Sequence, residues 1–219
     1  MSRVLIFILF LGSIIPAFAQ DYEKDIESIL NEFAEADNYL IECKVYISGD
    51  QDYSFDAFVK SSAKYGSHIK SDIVEMMVNK NYAVAIDHED KTIHVDEGNF
   101  KEKGDNSGAG IEDFENTLKD NKEVLFKGKK GALKYYEISY LNSTMITRVT
   151  IDTEMNFFKE IEFVYDDNDL ELSSYKVVYT KVDLNPKFKK NDFNQENFVR
   201  TSPNKRYIPT GDFKKYKII

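Results

Sequence analysis

The chain has 219 residues, with 29 basic and 38 acidic side chains and a formal net charge of −9. That balance repels nucleic acid and anionic membrane surfaces alike. A single Cys excludes an internal disulfide, so the fold must hold by its core.

Residues 1–19 read as a secretory leader. Arg3 gives the positive start, residues 4–11 form a short apolar core, Pro16 breaks it, and Ala17-Phe18-Ala19 offers small residues before a cleavage point. Cleavage there would leave Gln20 first and a net charge of about −10. No Cys stands at that point to be lipidated, so the expected product is a periplasmic protein and not a lipoprotein. No later segment approaches 18 unbroken apolar residues, so no membrane-spanning helix is expected. Residues 20–219 are read as one domain.

Residues 21–39 predict a helix. Tyr22, Ile26, Ile29, Leu30, Phe33 and Ala36 follow the i, i+3, i+4, i+7 spacing of an apolar stripe. Asp21, Glu23 and Asp25 suit the positive end of the helix dipole. The period then changes to two. Ile41, Cys43, Val45 and Ile47 share one face of a strand, which turns Cys43 inward. Residues 53–60 predict a second strand, which residues 61–65 could prolong. Residues 66–97 predict two or three more, ending in a hairpin whose turn is Asp87-His88-Glu89-Asp90-Lys91.

Residues 100–110 change to Lys, Glu, Asn, Ser and Gly and predict a loop. A short helix is expected over 111–119, with Ile111, Phe114 and Leu118 on one side, as a lid or plug. Strands follow over 123–126, 132–140, 145–151, 157–165 and 170–182, joined by polar turns at 128–131, 142–143, 152–154 and 166–169. Pro186, Pro203 and Pro209 interrupt any central strand beyond residue 185. The tail is expected to pack as an extended segment, with residues 214–219 as an edge strand.

Nothing matches a catalytic motif. The Asp87–Asp90 turn with His94 holds metal-ligand residue types, but no Cys or His spacing builds a tetrahedral site. Asp166-Asp167-Asn168-Asp169 lacks the Gly and distal Glu of a calcium loop. Ser107-Gly108-Ala109-Gly110 follows no strand–helix unit, and Glu112 and Asp113 would repel a phosphate. Asn142-Ser143-Thr144 fits a glycosylation acceptor only on a eukaryotic secretory route. No cofactor, metal or catalytic residue is expected. Arg148 lies inside a strand. It reads either as an exposed strand charge or, on a concave face, as a contact for a ligand's anionic or carbonyl group.

The stronger signal is bulk. The chain carries 14 Tyr and 16 Phe and no Trp, mostly on strands. One bent antiparallel sheet of about nine to eleven strands cannot cover its own concave face. Two helical pieces would leave an apolar hollow suited to an acyl chain or a hydrophobic segment.

The order of parts resembles the LolA/LolB-like superfamily: leader, one helix, a long meander, a loop with a short helix, more meander. The nearest local match is Asn79-Lys80-Asn81-Tyr82 through Ile86 to Val95, a strand, an acidic turn and a strand. The resemblance implies an α+β fold: a strongly curved antiparallel sheet forming an incomplete β-barrel, covered by the N-terminal helix and the short inserted helix. It implies a carrier of lipoprotein acyl chains in the periplasm, or a sensor of envelope lipids. The chain departs from the carriers in lacking their Trp residues and an Arg within 40–65.

The expected cavity lining is Phe33, Val45, Phe58, Met76, Phe114, Leu118, Arg148 and Phe163. The expected partner of this monomer is a lipid or lipidated protein. The alternative is a non-catalytic envelope sensor or adaptor that binds a protein through a sheet edge or the tail.

Overall fold

The computed structural model describes residues 15–100, 122–141, 143–165 and 172–219. The leader's first 14 residues, most of the 100–110 loop, the 111–119 helix with Phe114 and Leu118, Asn142 and the 166–169 turn lie outside them.

The helix α1 spans Ile15–Glu35. It begins before the expected start and stops short of the expected end, because Asn38 already opens a strand. The strands are β1 (Asn38–Gly49), β2 (Tyr53–Ser62), β3 (Gly66–Ser71), β4 (Val74–Val78), β5 (Tyr82–Asp87), β6 (Thr92–Glu97), β7 (Lys122–Lys130), β8 (Leu133–Tyr140), β9 (Met145–Asp152), β10 (Phe157–Tyr165) and β11 (Leu172–Leu184). The tail adds β12 (Val199–Thr201), β13 (Tyr207–Pro209), β14 (Lys217–Ile218) and three 3-10 turns.

Twelve strands hydrogen-bond in the order β14-β6-β5-β4-β3-β2-β1-β11-β10-β9-β8-β7. Among the described residues this sheet is unclosed, since β14 and β7 end it. It holds one strand more than expected, because residues 66–97 make four strands. The expected tail strand is there: Lys217 and Ile218 pair in parallel with Thr92 and Ile93. β7 runs through much of the expected 128–131 turn. A register shift between Phe126 and Gly128 absorbs the extra residue, and Gly131 turns the chain at φ 60°. Lys122, Lys127, Lys129 and Lys130 sit along this last strand.

The chain divides into two compact units, Met1–Glu35 with Val45–Ser54 and Asp113–Tyr179, and Ala36–Lys44 with Phe55–Glu112 and Thr180–Ile219. In the first unit the stripe of α1 is buried as the spacing predicts. Tyr22, Ile26 and Ile29 join Tyr136, Ile138, Val149, Ile151, Phe157, Phe158 and Ile161 in the core. Tyr22 meets the Tyr136 ring edge-on at 5.0 Å. Asp25 fixes the helix orientation, accepting hydrogen bonds from Lys134 Nζ and from the Tyr136 hydroxyl, all at 2.8 Å.

The opposite face of the same strands carries charge. Lys127, Glu137, Arg148, Glu162, Lys176 and Glu160 form a chain of ion pairs from β7 to β11. The apolar and charged faces follow directly from the period of two.

In the second unit Met77, Val84, Ile86 and Ile93 line one face of β4–β6. No helix covers it. The tail does: Phe198 and Val199 are buried in the same cluster, and Tyr207, Phe213, Tyr216 and Ile218 pack against it.

Ile29→Ala should empty a buried core site of α1, where Ile29 is 2% exposed. We expect a loss of about 3 kcal/mol, the usual cost of an emptied core site, read as a lower urea midpoint with an unchanged slope.

Candidate functional site

Two arrangements stand out, one in each unit. In the first unit the helix-side face continues along β10 and β11 as a row of rings. Phe157 lies 5.8 Å from Phe33 and 5.4 Å from Tyr179. Phe163 and Tyr175 are cross-strand partners with ring centroids 6.2 Å apart. Phe163 pairs with buried Thr147 on β9, which puts it on the helix side. Phe33, Phe163, Tyr175 and Tyr179 are half-buried, so apolar ring surface remains accessible along this row.

In the second unit an ion cluster sits inside the core. Glu75 is 3% exposed, although it is a carboxylate on a strand. Register explains its place: Glu75 alternates with buried Met77 and pairs with Lys70 and Ile86. His68 Nε2 is 2.7 Å from Glu75 Oε1. Lys70 Nζ is 3.3 Å and His88 Nε2 is 3.5 Å from Glu75 Oε2. His88 Nδ1 meets the Tyr216 hydroxyl of the tail at 3.0 Å. Burial alone would raise the Glu75 carboxyl. The His68 hydrogen bond and the Lys70 and His68 charges outweigh it and hold the group below the usual carboxylate range. Glu75 Oε2 and His88 Nε2 are held by these ion pairs, and His68 Nδ1 is the one buried atom of the cluster with neither a hydrogen bond nor an ion pair. Among the described residues no three His, Cys, Asp or Glu side chains form a metal-binding group.

A third feature is an open cleft of about 440 Å³ in the second unit, lined by Glu42, Cys43, Asp56, Ala57, Phe58, Lys70, Ser71, Asp72 and Thr180. Cys43 is half-buried at this cleft, where the sequence placed it inside an apolar row. Burial, with the nearby Asp56 charge, pushes its thiol up, which keeps it protonated and unreactive.

The expected lining residues do not converge on one place. Phe33 and Phe163 lie on the first unit's ring row, and Val45 is buried in that unit. Phe58 lines the cleft and stands edge-on to His68 at 5.2 Å. Met76 is 46% exposed on the outer face of β4, and its inward neighbour is Met77, 0% exposed. Arg148 lies on the charged face, paired with Glu162 at 3.2 Å and Glu137 at 3.5 Å. The Asp87 turn is held by its own side chain, which accepts from the Glu89 and Asp90 amides. His94 is outside, beside Asp96.

Sequence reading missed His68, Glu75 and the role of the tail. The segment Val74-Glu75-Met76-Met77-Val78 is apolar in both phases, and the more apolar phase faces out. The one available signal was the tail's own aromatics, Phe193, Phe198, Phe213 and Tyr216, which need a surface to cover.

No family model and no curated protein matches the chain. Solved structures do resemble it in outline. An uncharacterized conserved protein from Thermus thermophilus is 6% identical, with TM-score 0.48 over 91% of this chain and 98% of that one. The MucA/MucB complex of Pseudomonas aeruginosa gives 9% identity and TM-score 0.40, covering 76% of this chain and 59% of that one. A LolA superfamily protein from Nitrosomonas europaea gives 8% identity and TM-score 0.32, covering 78% and 98%. The family expected from the order of elements is thus among the structures that the chain is similar to. At these scores the likeness bears on neither ligand nor partner.

The Glu75 carboxyl is lowered in the folded chain, so its stabilising contribution is complete above the ordinary carboxylate value of about 4.3 and fades as pH falls through the lower folded value. Glu75→Gln should cost about 3 kcal/mol at pH 6 by stranding its partners. Its melting temperature should fall less than that of the parent between pH 6 and pH 3, as circular dichroism would read.

Proposed function

We propose that the chain is an exported, non-catalytic binding protein of the LolA/LolB-like kind. It works as a periplasmic monomer that holds the acyl chain of a lipid or lipidated protein against the ring row of β10 and β11. One observation carries this reading: Phe33, Phe163, Tyr175 and Tyr179 are half-buried rings, grouped as Phe33–Phe157–Tyr179 and Phe163–Tyr175 on the helix-side face. Such rings offer a large contact area to a hydrocarbon, while a filled core would have hidden them. The helix α1 forms one wall of the row through Phe33 and Phe157. In this reading the acyl chain slides between helix and strands, and the carrier role follows.

The alternative reading is an envelope sensor or adaptor that binds a protein partner. Exposed Ile73, Val74 and Met76, contiguous on and beside β4, favour it. Deleting residues 185–219 would not separate the two readings, because the tail supplies core side chains to the second unit.

Native mass spectrometry of protein purified from its own envelope should find a lipid-sized adduct. Phe163→Ala combined with Tyr175→Ala should lower the retained lipid about tenfold, or 1.4 kcal/mol. Met76→Lys should leave it unchanged. A parent protein without adduct, whose capture of a protein partner fails in Met76→Lys, would instead support the adaptor reading.

A further inference from the structure

The helix-side face of the first unit ends in a polar spot. Tyr136, Ile138 and Tyr140 alternate along β8, so they share that face. Thr147 stands on the same face of β9, paired with Ile138 on one flank and with Phe163 on the other. Phe163 pairs in turn with Tyr175. Thr147 is 2% exposed, a hydroxyl set among apolar side chains. A buried hydroxyl costs free energy unless it is well hydrogen-bonded. Its Oγ1 meets the Tyr140 hydroxyl at 3.5 Å, beyond the usual range of such a bond.

Tyr22 brings another hydroxyl to this spot from α1. Its ring stands edge-on to Tyr136 at 5.0 Å, and the residue is 1% exposed. Its hydroxyl is buried and makes no hydrogen bond. Asp25, one turn further along α1, already accepts from Lys134 and from the Tyr136 hydroxyl. The Lys122 ammonium lies over the Tyr22 ring, 5.5 Å from its centroid, and makes no hydrogen bond to its hydroxyl. Burial, with a contribution from Tyr140, pushes the Tyr22 phenol up, so it stays a neutral donor. The side chains around this spot are accessible: Tyr140, Met145, Phe163, Tyr165 and Tyr175 are half-buried.

We propose that this spot is a carbonyl subsite: the Tyr22 hydroxyl, with the Tyr140–Thr147 pair beside it, donates to the ester carbonyl oxygen of an acyl chain lying against Phe163 and Tyr175. The chemistry of the donors selects the head. An unpartnered phenol needs an acceptor, and the oxygen nearest the hydrocarbon of an acylated ligand is its carbonyl. That oxygen has two lone pairs, enough for Tyr22 and one hydroxyl of the pair. The three hydroxyls are neutral, so they do not offset the cost of desolvating a carboxylate, and an ester is favoured over a free fatty acid. Tyr140 is half-buried and held to Thr147 at 3.5 Å, so a change of its rotamer admits the head. The proposal rests on acyl binding at the ring row and adds which head group the row selects.

The test compares the full chain with Tyr22→Phe, which removes one oxygen and keeps the ring. The probes are methyl palmitate and sodium palmitate. Without probe, Tyr22→Phe should melt at the same temperature as the parent or higher, because it deletes a buried donor that has no partner. Its affinity for methyl palmitate should fall about fivefold, the worth of one hydrogen bond. Its affinity for palmitate should fall less. By infrared spectroscopy the ester carbonyl band should lie at lower frequency on the parent than on the variant, as a hydrogen-bonded carbonyl does. A clearly lower melting temperature of probe-free Tyr22→Phe would show that the hydroxyl already has a partner, and it overturns the proposal. Equal ester affinity and band position in the two proteins overturn it as well. In that case binding that is still lost on combining Phe163→Ala with Tyr175→Ala leaves the ring row standing. A parent that binds neither probe overturns both readings.

Discussion

A strand that alternates apolar and polar residues makes one face that water must not touch. Everything else here answers that demand, and each compact unit answers it differently. In the first, α1 lays Tyr22, Ile26 and Ile29 on the sheet and locks its angle through Asp25, Lys134 and Tyr136. In the second, an irregular segment does the same with Phe198 and Val199. A helix satisfies its own backbone and can cover a face as a unit. An extended strap must borrow hydrogen bonds from the sheet, which is why its anchors fall at Asn79, His88, Lys91, Ile93 and Glu97.

The buried carboxylate is the second consequence of that cover. Glu75 on an open sheet would be an ordinary surface charge. Beneath the tail it must be paired, and His68, Lys70 and His88 converge on it from β3 and the β5–β6 turn. A buried ion pair is weak evidence for stability, since two hydrophobic residues would often serve as well.

Much of the fold was legible from periodicity. The stripe from Tyr22 to Phe33 gave the helix and its buried face. The alternation through β1, β5, β6, β9 and β10 gave strands within a residue or two of the observed ones. The turns at Asp87 and Asp152 were legible because an Asp side chain accepts from the amides two and three residues on. The phase of β4 was not legible, because Val74, Met76 and Val78 look more buried than Glu75 and Met77. Only a cover from over a hundred residues away decides it. Arg148 was ambiguous for a related reason. A strand says that it has two faces, and only its neighbours, here Glu137 and Glu162, say which one is wet.

Among the described residues β7 ends the strand order, with lysines at 122, 127, 129 and 130 and a register shift in its middle. A newcomer strand would meet like-charged ammonium groups and a broken ladder at the same place. The edge is therefore a poor template for further chains, which guards a disulfide-free protein against fibre growth wherever it is crowded.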